Sequence, residues 1–239
     1  MLFNEIMLLF IGMSIGITIN LIMPNNKKRI MQEQRSLEED MKVILRSMAN
    51  DLRNKDACLL QNGATMNEVN FTVDDVNITK DDVNDTSFLK DGIDFTLIDQ
   101  KIKDLIKKAH INSKNTLLTD TRYLIAYLDM REQQIDVLKR IQEHIKQIPV
   151  ILQQTIPISD FMNHVAASFH EFNNVKGLLK EIEDLYEHFR NEDLPKTRTE
   201  FEYRAILFQI LKELEYFLRI KRSFILDIEK QDMKSYWKS

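Results

Sequence analysis

The first 24 residues, MLFNEIMLLFIGMSIGITINLIMP, constrain this chain more than any other stretch. Met1–Pro24 is one apolar run with no charge after Glu5. From Ile6 to Met23 it has about the minimum length needed to cross a ~30 Å hydrocarbon core as a helix. A signal peptide would carry Lys or Arg ahead of its apolar core and small residues at a cleavage site. Here only Glu5 precedes the core, and Met23-Pro24 does not resemble a cleavage site. A buried core helix is the other reading, since Ser14, Thr18 and Asn20 soften the run. The reading adopted is an N-terminal transmembrane helix over 1–24, followed by a polar, helix-rich remainder.

Charge sets the orientation. Lys27, Lys28 and Arg29 follow the run directly, and nothing basic precedes it. The positive-inside rule then places the C-terminal part in the cytoplasm. The expected localisation is the cell membrane, single-pass in this chain. An N-out first helix without a cleavable signal is unusual for a lone span and ordinary for the last helix of a multi-span protein. The expectation is therefore the end of a longer transporter, or a trimmed relative of one. Gly12 and Gly16 form a small-xxx-small pair that lets another helix approach closely in lipid, and they are the helix-packing candidates. The partners implied are the lipid bilayer and other transmembrane helices, from further copies or from a transporter subunit.

Composition bounds the remainder. The chain is 29% charged with a net charge of −4, which implies no general nucleic-acid surface. One cysteine, Cys58, excludes a disulfide within the chain and fits a reducing compartment. Gly and Pro are scarce among many Leu, Ile, Glu, Lys and Gln, so helices are favoured over strands.

Along the chain, Met31, Leu37, Met41, Ile44, Leu45, Met48 and Leu52 recur at helical spacing. They predict an amphipathic stalk helix over 25–60, with Pro24 at the junction. Residues 61–93 are rich in Asp and Asn and read as an acidic linker. Asn70-Phe-Thr72, Asn77-Ile-Thr79 and Asn84-Asp-Thr86 match a glycosylation acceptor pattern, which is meaningless in a cytoplasmic segment. Asp75–Thr86 fails as a calcium loop, with Lys80 where Gly is needed and Thr86 where a bidentate Glu belongs.

A helical bundle is expected over 94–228, with a tail at 229–239. Ile98, Ile102, Leu105 and Ile106 mark its first helix. Leu124, Leu128, Ile135, Leu138, Ile141, Ile145 and Ile148 mark a long second one, and Pro149 and Pro157 bracket its end. A helix from near Ser159 carries Phe161, Val165 and Phe169, and another runs from about Val175 to Arg190. The last begins at a Thr197/Glu200 capping box. Its stripe includes Phe201, Ala205, Phe208, Leu211, Leu214, Leu218 and Ile225, with Phe208 expected in the core and Leu207, Ile210 and Phe217 broadening the surface. Such helices pack as an antiparallel bundle. The fold class is all-α, one transmembrane helix followed by that bundle.

Chemistry is sparse. His110, His144, His164, His170 and His188 form no zinc signature. No Gly-rich phosphate loop is present, and the charges of the long helices read as solvated faces with i,i+4 pairs. No catalytic, metal or cofactor-binding residue is assigned, no cofactor is expected, and the chain is not read as an enzyme.

The segment Leu194–Phe224, LPKTRTEFEYRAILFQILKELEYFLRIKRSF, resembles the closing helix of the C-terminal domain of the bacterial aromatic acid exporter family. Leu194–Arg198, Glu200-Phe201-Glu202, Arg204-Ala205, Leu207-Phe208-Gln209, Glu213-Leu214-Glu215 and Lys221 carry the likeness. Met130–Gln134 resembles the family's long helix, and Asn20-Leu21 with Met23-Pro24 resembles the end of its last membrane helix. The resemblance implies a membrane-anchored cytoplasmic domain that regulates or assembles an exporter. It carries over no substrate residue, so the substrate site is unknown. Members have several spans where this chain has one, and 61–93 is longer than expected. A membrane-anchored scaffold with no transport role is the alternative.

Overall fold

The structure, a computed structural model, describes residues 2–54, 93–115 and 120–230, with side chains described at 4–14, 29–54, 93–111 and 122–229. Every regular element among them is a helix: α1 Leu2–Arg53, α2 Thr96–Asn115, α3 Asp120–Lys146, α4 Thr155–Ala167, α5 Lys176–Asn191 and α6 Arg198–Lys230. Directions follow from the polar contacts between them. Lys101 reaches Asp40 and Lys108 reaches Glu33, so α2 runs antiparallel to α1. Tyr127 meets Phe224, Gln134 meets the Phe217 backbone and Arg140 meets Glu213, so α6 runs antiparallel to α3. Helix α1 also packs along α4, and α5 closes against α6 and α4.

The core follows an alternating step of four and three residues. On α6 it includes Leu207, Leu211, Leu214, Leu218, Lys221, Ile225 and Ile228, all buried. On α3 it includes Tyr127, Arg131, Gln134, Leu138, Ile141 and Ile145, and Ile148 just beyond the helix continues it. On α1 it includes Gln34, Glu38, Met41, Leu45, Met48 and Leu52. Helices that cross at shallow angles keep one seam in contact only with this spacing.

That seam corrects the expected stripe of α6. Phe208 is 39% exposed and Phe201 61%, whereas Leu207, Ile210 and Phe217 are buried. Phe208 stands one position off the seam and leans on Tyr186, at 5.5 Å between ring centres, with the Lys212 ammonium 5.6 Å from its ring centre. We expect Phe208→Ala to cost about 1 kcal/mol or less in denaturant melts, the value of a surface aromatic pair. A loss of about 3–5 kcal/mol, the scale of a truncated core aromatic, would contradict this placement.

Two further expectations change. Helix α4 starts at Thr155 and passes through Pro157, instead of starting near Ser159. A proline costs little there, because first-turn N–H groups have no intrahelical acceptor. Helix α1 is continuous through Pro24, and its stretch from Ile30 to Leu52 contributes core residues. The segment expected as a stalk is therefore a bundle helix. The capping box of α6 is present in altered form. Thr197 Oγ1 accepts the Glu200 N–H at 3.1 Å, while the Glu200 carboxylate accepts the N–H of Lys196, one residue before the cap.

Among the described residues no helix is long and apolar enough to cross a membrane. The expected span over 1–24 has side chains described only at 4–14; the rest of it, Gly16 included, lies outside them. Gly12 is described, and a side chain there would meet nothing within 4 Å. Residues 55–92, with Cys58, the acceptor sequences and the Asp75–Thr86 loop, lie outside the described residues, as does the tail beyond 230.

Candidate functional site

Besides Gln34 on α1, four polar residues that contact one another or lie side by side occupy seam positions that ordinary packing would give to apolar side chains. They are Glu38 on α1, Arg131 and Gln134 on α3, and Lys221 on α6. The antiparallel pairing brings them to one level of the bundle. Arg131 is 1% exposed, and all three of its nitrogen positions are engaged. Its Nη2 donates to Glu38 Oε1 at 2.7 Å, its Nη1 to Gln134 Oε1 at 2.7 Å and its Nε to the Tyr127 hydroxyl at 2.8 Å. Gln134 Nε2 donates onward to the Phe217 carbonyl at 2.9 Å, and the Tyr127 hydroxyl donates to the same Glu38 oxygen. The network therefore ties α1, α3 and α6 together.

Aromatic rings enclose it. The Arg131 guanidinium lies 4.1 Å from the centre of Phe169 and 4.8 Å from that of Tyr127. Phe169 stacks on Phe217, and Tyr123, Tyr127 and Phe224 form a second cluster. A guanidinium suits this place because it is weakly hydrated, flat and able to face rings while its edge donates.

Lys221 is the odd member. Its Nζ donates to the backbone carbonyl of Glu171, in the loop between α4 and α5, and lies 5.3 Å from the Tyr127 ring centre. Burial, with repulsion from Arg131, pushes its ammonium down to about 7, against the pull of Glu38 and Glu171. Burial likewise raises the Tyr127 phenol well above its ordinary value, and burial and Glu171 raise that of Tyr123. The Glu171 carboxylate accepts the Tyr123 hydroxyl at 2.7 Å.

The sequence reading singled out none of these residues as a site, because it took charges on the long helices for solvated faces. The signal was available, since Glu38, Arg131, Gln134 and Lys221 interrupt apolar series at core register. A buried ion pair is a costly way to fill a core, and apolar replacements of similar volume are often equal or better. The arrangement fixes register between three helices, which is the best attested use of buried polar groups.

Of the remaining sequence candidates, His170 lies on the α4–α5 loop at the exposed edge of this network. His164 pairs with Glu181 and His188 with Glu192, and both imidazoles are exposed. Among the described residues no group of three or more His, Cys, Asp or Glu is placed to hold a metal ion.

Comparison with known proteins agrees with this fold. The chain is 24% identical to "Uncharacterized protein YqjA" of Bacillus subtilis (strain 168) over 223 residues, which is 93% of this chain and 60% of that protein. The chain thus spans about three fifths of the length of that relative. A solved structure, "Crystal structure of putative membrane protein from Clostridium difficile 630", matches with a TM-score of 0.61 at 24% identity. The match covers 84% of this chain and 99% of that one, and it shows a shared fold. The family described as "Putative aromatic acid exporter C-terminal domain" matches residues 76–222. That match spans more than half of the chain, so this protein belongs to the aromatic acid exporter C-terminal domain family.

Proposed function

We propose that this chain is the cytoplasmic helical domain of a membrane exporter, joined to the bilayer by the first half of α1. In this reading it regulates or assembles the transport unit and forms no pore itself. The observation that supports it is the continuity of α1. One helix joins an apolar half, where Leu8, Leu9, Phe10 and Met13 are at least 68% exposed, to a half buried in the bundle. Large apolar side chains at that exposure need lipid or another protein surface to cover them. The Glu38–Arg131 pair holds the buried half of the same helix. A shift of α1 along its axis would be opposed by that pair, so movement at the membrane end would reach α3 and α6. No catalytic role is part of the proposal.

Orientation is tested by reporters fused after Ser239 in the membrane-inserted protein. A reporter active only in the cytoplasm should be active. Activity of a periplasm-type reporter instead would overturn the orientation.

Gly12 and Gly16 remain the proposed contact for neighbouring membrane helices. They lie one turn apart on one face. Replacing both with Leu should weaken association in a membrane two-hybrid assay and leave the bundle's thermal melt unchanged. Association that is equal in the two forms would leave the pair as ordinary helix composition, favouring a lone anchor on a scaffold.

A further inference from the structure

We propose that the end of the bundle facing the apolar half of α1 is a docking surface for anionic lipid headgroups, a proposal that rests on the anchored reading of α1 given above. Distance is the first reason. Helix α1 is unbroken from Leu2 to Arg53, so no loop separates its apolar run from its core positions. Ile30 is the first of those core positions among the described residues. It stands seven residues beyond Met23, about 10 Å at the helical rise. The polar layer on each side of a bilayer is roughly 5–8 Å deep. A helix that carries Met23 to the hydrocarbon edge therefore brings the end of the bundle to the headgroups.

Three other helices reach the same end. The Lys108–Glu33 pair sets Ile111, one turn farther along α2, beside the level of Ile30. Tyr127 meets Phe224, so the start of α3 lies beside the end of α6, and its hydroxyl reaches Glu38 in the same half of the bundle. At this end α1, α2 and α6 each leave an apolar side chain in solvent: Met31 at 43%, Ile111 at 54% and Leu226 at 38% exposure.

Charge at this end has one sign in excess. Arg29, Arg35, Lys107, Lys108, Arg122 and Arg222 stand at exposed or half-buried positions on the four helices. Against them are Glu33, Asp227 and Glu229, on a chain whose net charge is −4. Glu33 is shared by Arg29 and Lys108. Among the described residues Arg35, Lys107, Arg122 and Arg222 make no ion pair. The opposite end differs, since Arg53, Lys146, Arg190, Arg198 and Arg204 each meet a carboxylate there. Unpaired cations on long stems, set around apolar side chains, suit an acidic lipid surface. The apolar groups enter the interface while the charged tips reach lipid phosphates. Each such cation near an acidic leaflet strengthens the contact by about fivefold, and salt weakens it. Because α1 delivers this end to the bilayer, the contact needs no separate encounter.

The test uses the full chain reconstituted in vesicles. Ile111→Cys, combined with Cys58→Ser, carries a fluorophore, and a nitroxide on a fraction of the lipid headgroups quenches it on contact. Flotation with phosphatidylcholine vesicles in high salt reports the α1 anchor by itself. A chain that fails to float would overturn the anchored reading, and the docking surface with it. In a chain that floats, quenching at Ile111→Cys should rise about twofold or more when ~30% phosphatidylglycerol is included. It should fall back in high salt, which shortens the reach of the surface charge. The same label at Leu194→Cys, a position 86% exposed at the opposite end, should not respond to lipid charge. Lys107→Gln, Arg122→Gln and Arg222→Gln together should remove the response at Ile111→Cys. Quenching there that is equal on neutral and acidic vesicles, or undiminished in the triple variant, would overturn the docking surface and leave the anchor standing.

Discussion

Glu38→Leu should destabilise the bundle by about 3–5 kcal/mol, the usual loss when one partner of a buried ion pair is removed. The large figure does not measure the worth of the pair. It arises because Arg131, at 1% exposure, keeps its charge in a site that water cannot reach. The Tyr127 hydroxyl loses its acceptor at the same time. Exposed pairs of this protein, such as Lys146 with Glu143 and Arg190 with Glu187, belong to another regime. Solvent and side-chain entropy hold each of those to roughly 0–1 kcal/mol. The companion test is Glu38→Leu combined with Arg131→Met, which removes both charges and keeps the volume. That double variant should recover most of the lost stability, because an apolar pair often matches a buried salt bridge. Denaturant melts of the full chain in detergent read both values. A loss under about 1 kcal/mol for the single variant would show that water reaches the pair. A double variant no better than the single one would show that the loss comes from packing instead of charge.

How the network escaped a reading of the sequence has a physical explanation. Helix spacing was legible wherever apolar residues marked it. Ile98, Ile102 and Leu105 on α2, and Phe161 and Val165 on α4, were placed from spacing and are buried. On α6 the register was ambiguous, since Phe201 and Phe208 extend the apolar surface beyond the seam. Tertiary partners chose between the two stripes, and a single helix holds no record of its partners. The same limit hid α1's role. Leu37, Met41, Leu45, Met48 and Leu52 were seen as one face, but an amphipathic face looks alike on a stalk and in a bundle. Arg131 and Lys221 fall within the motifs that carry the family likeness, which say nothing of burial. A charge at a seam position can equally be a register that has slipped, and only the pairing of α3 with α6 and α1 decides. Capping and turn chemistry, being local, was easier: Thr197 and Glu200 marked the start of α6 to within a residue. Pro157 misled because a proline signals the first turn of a helix as readily as a break before one.

Lys221 supplies the second large effect, and its sign is opposite to that of an ordinary stabilising pair. Burial lowers its folded pKa to about 7, whereas an unfolded lysine titrates at about 10.4. Below pH 7 both states hold the proton, and the penalty for burying the charge is fully present. Between about 7 and 10 the unfolded chain binds a proton that the folded chain has released. Stability therefore rises with pH across that window, with a limiting slope of about 1.4 kcal/mol per unit for one proton. Two units amount to about 2–3 kcal/mol. Other shifted groups act elsewhere. The lowered carboxyls of Asp94, Glu200 and Glu215 contribute stability that is lost only as pH falls below the ordinary carboxylate range. The raised phenols of Tyr123, Tyr127 and Tyr186 contribute stability that is lost only as pH climbs beyond about 10. Melts of the full chain from pH 7 to 9 should climb, and Lys221→Met, with no proton to release, should lose that component. A flat profile for the unmodified chain, or an equal climb in Lys221→Met, would remove Lys221 as the titrating group.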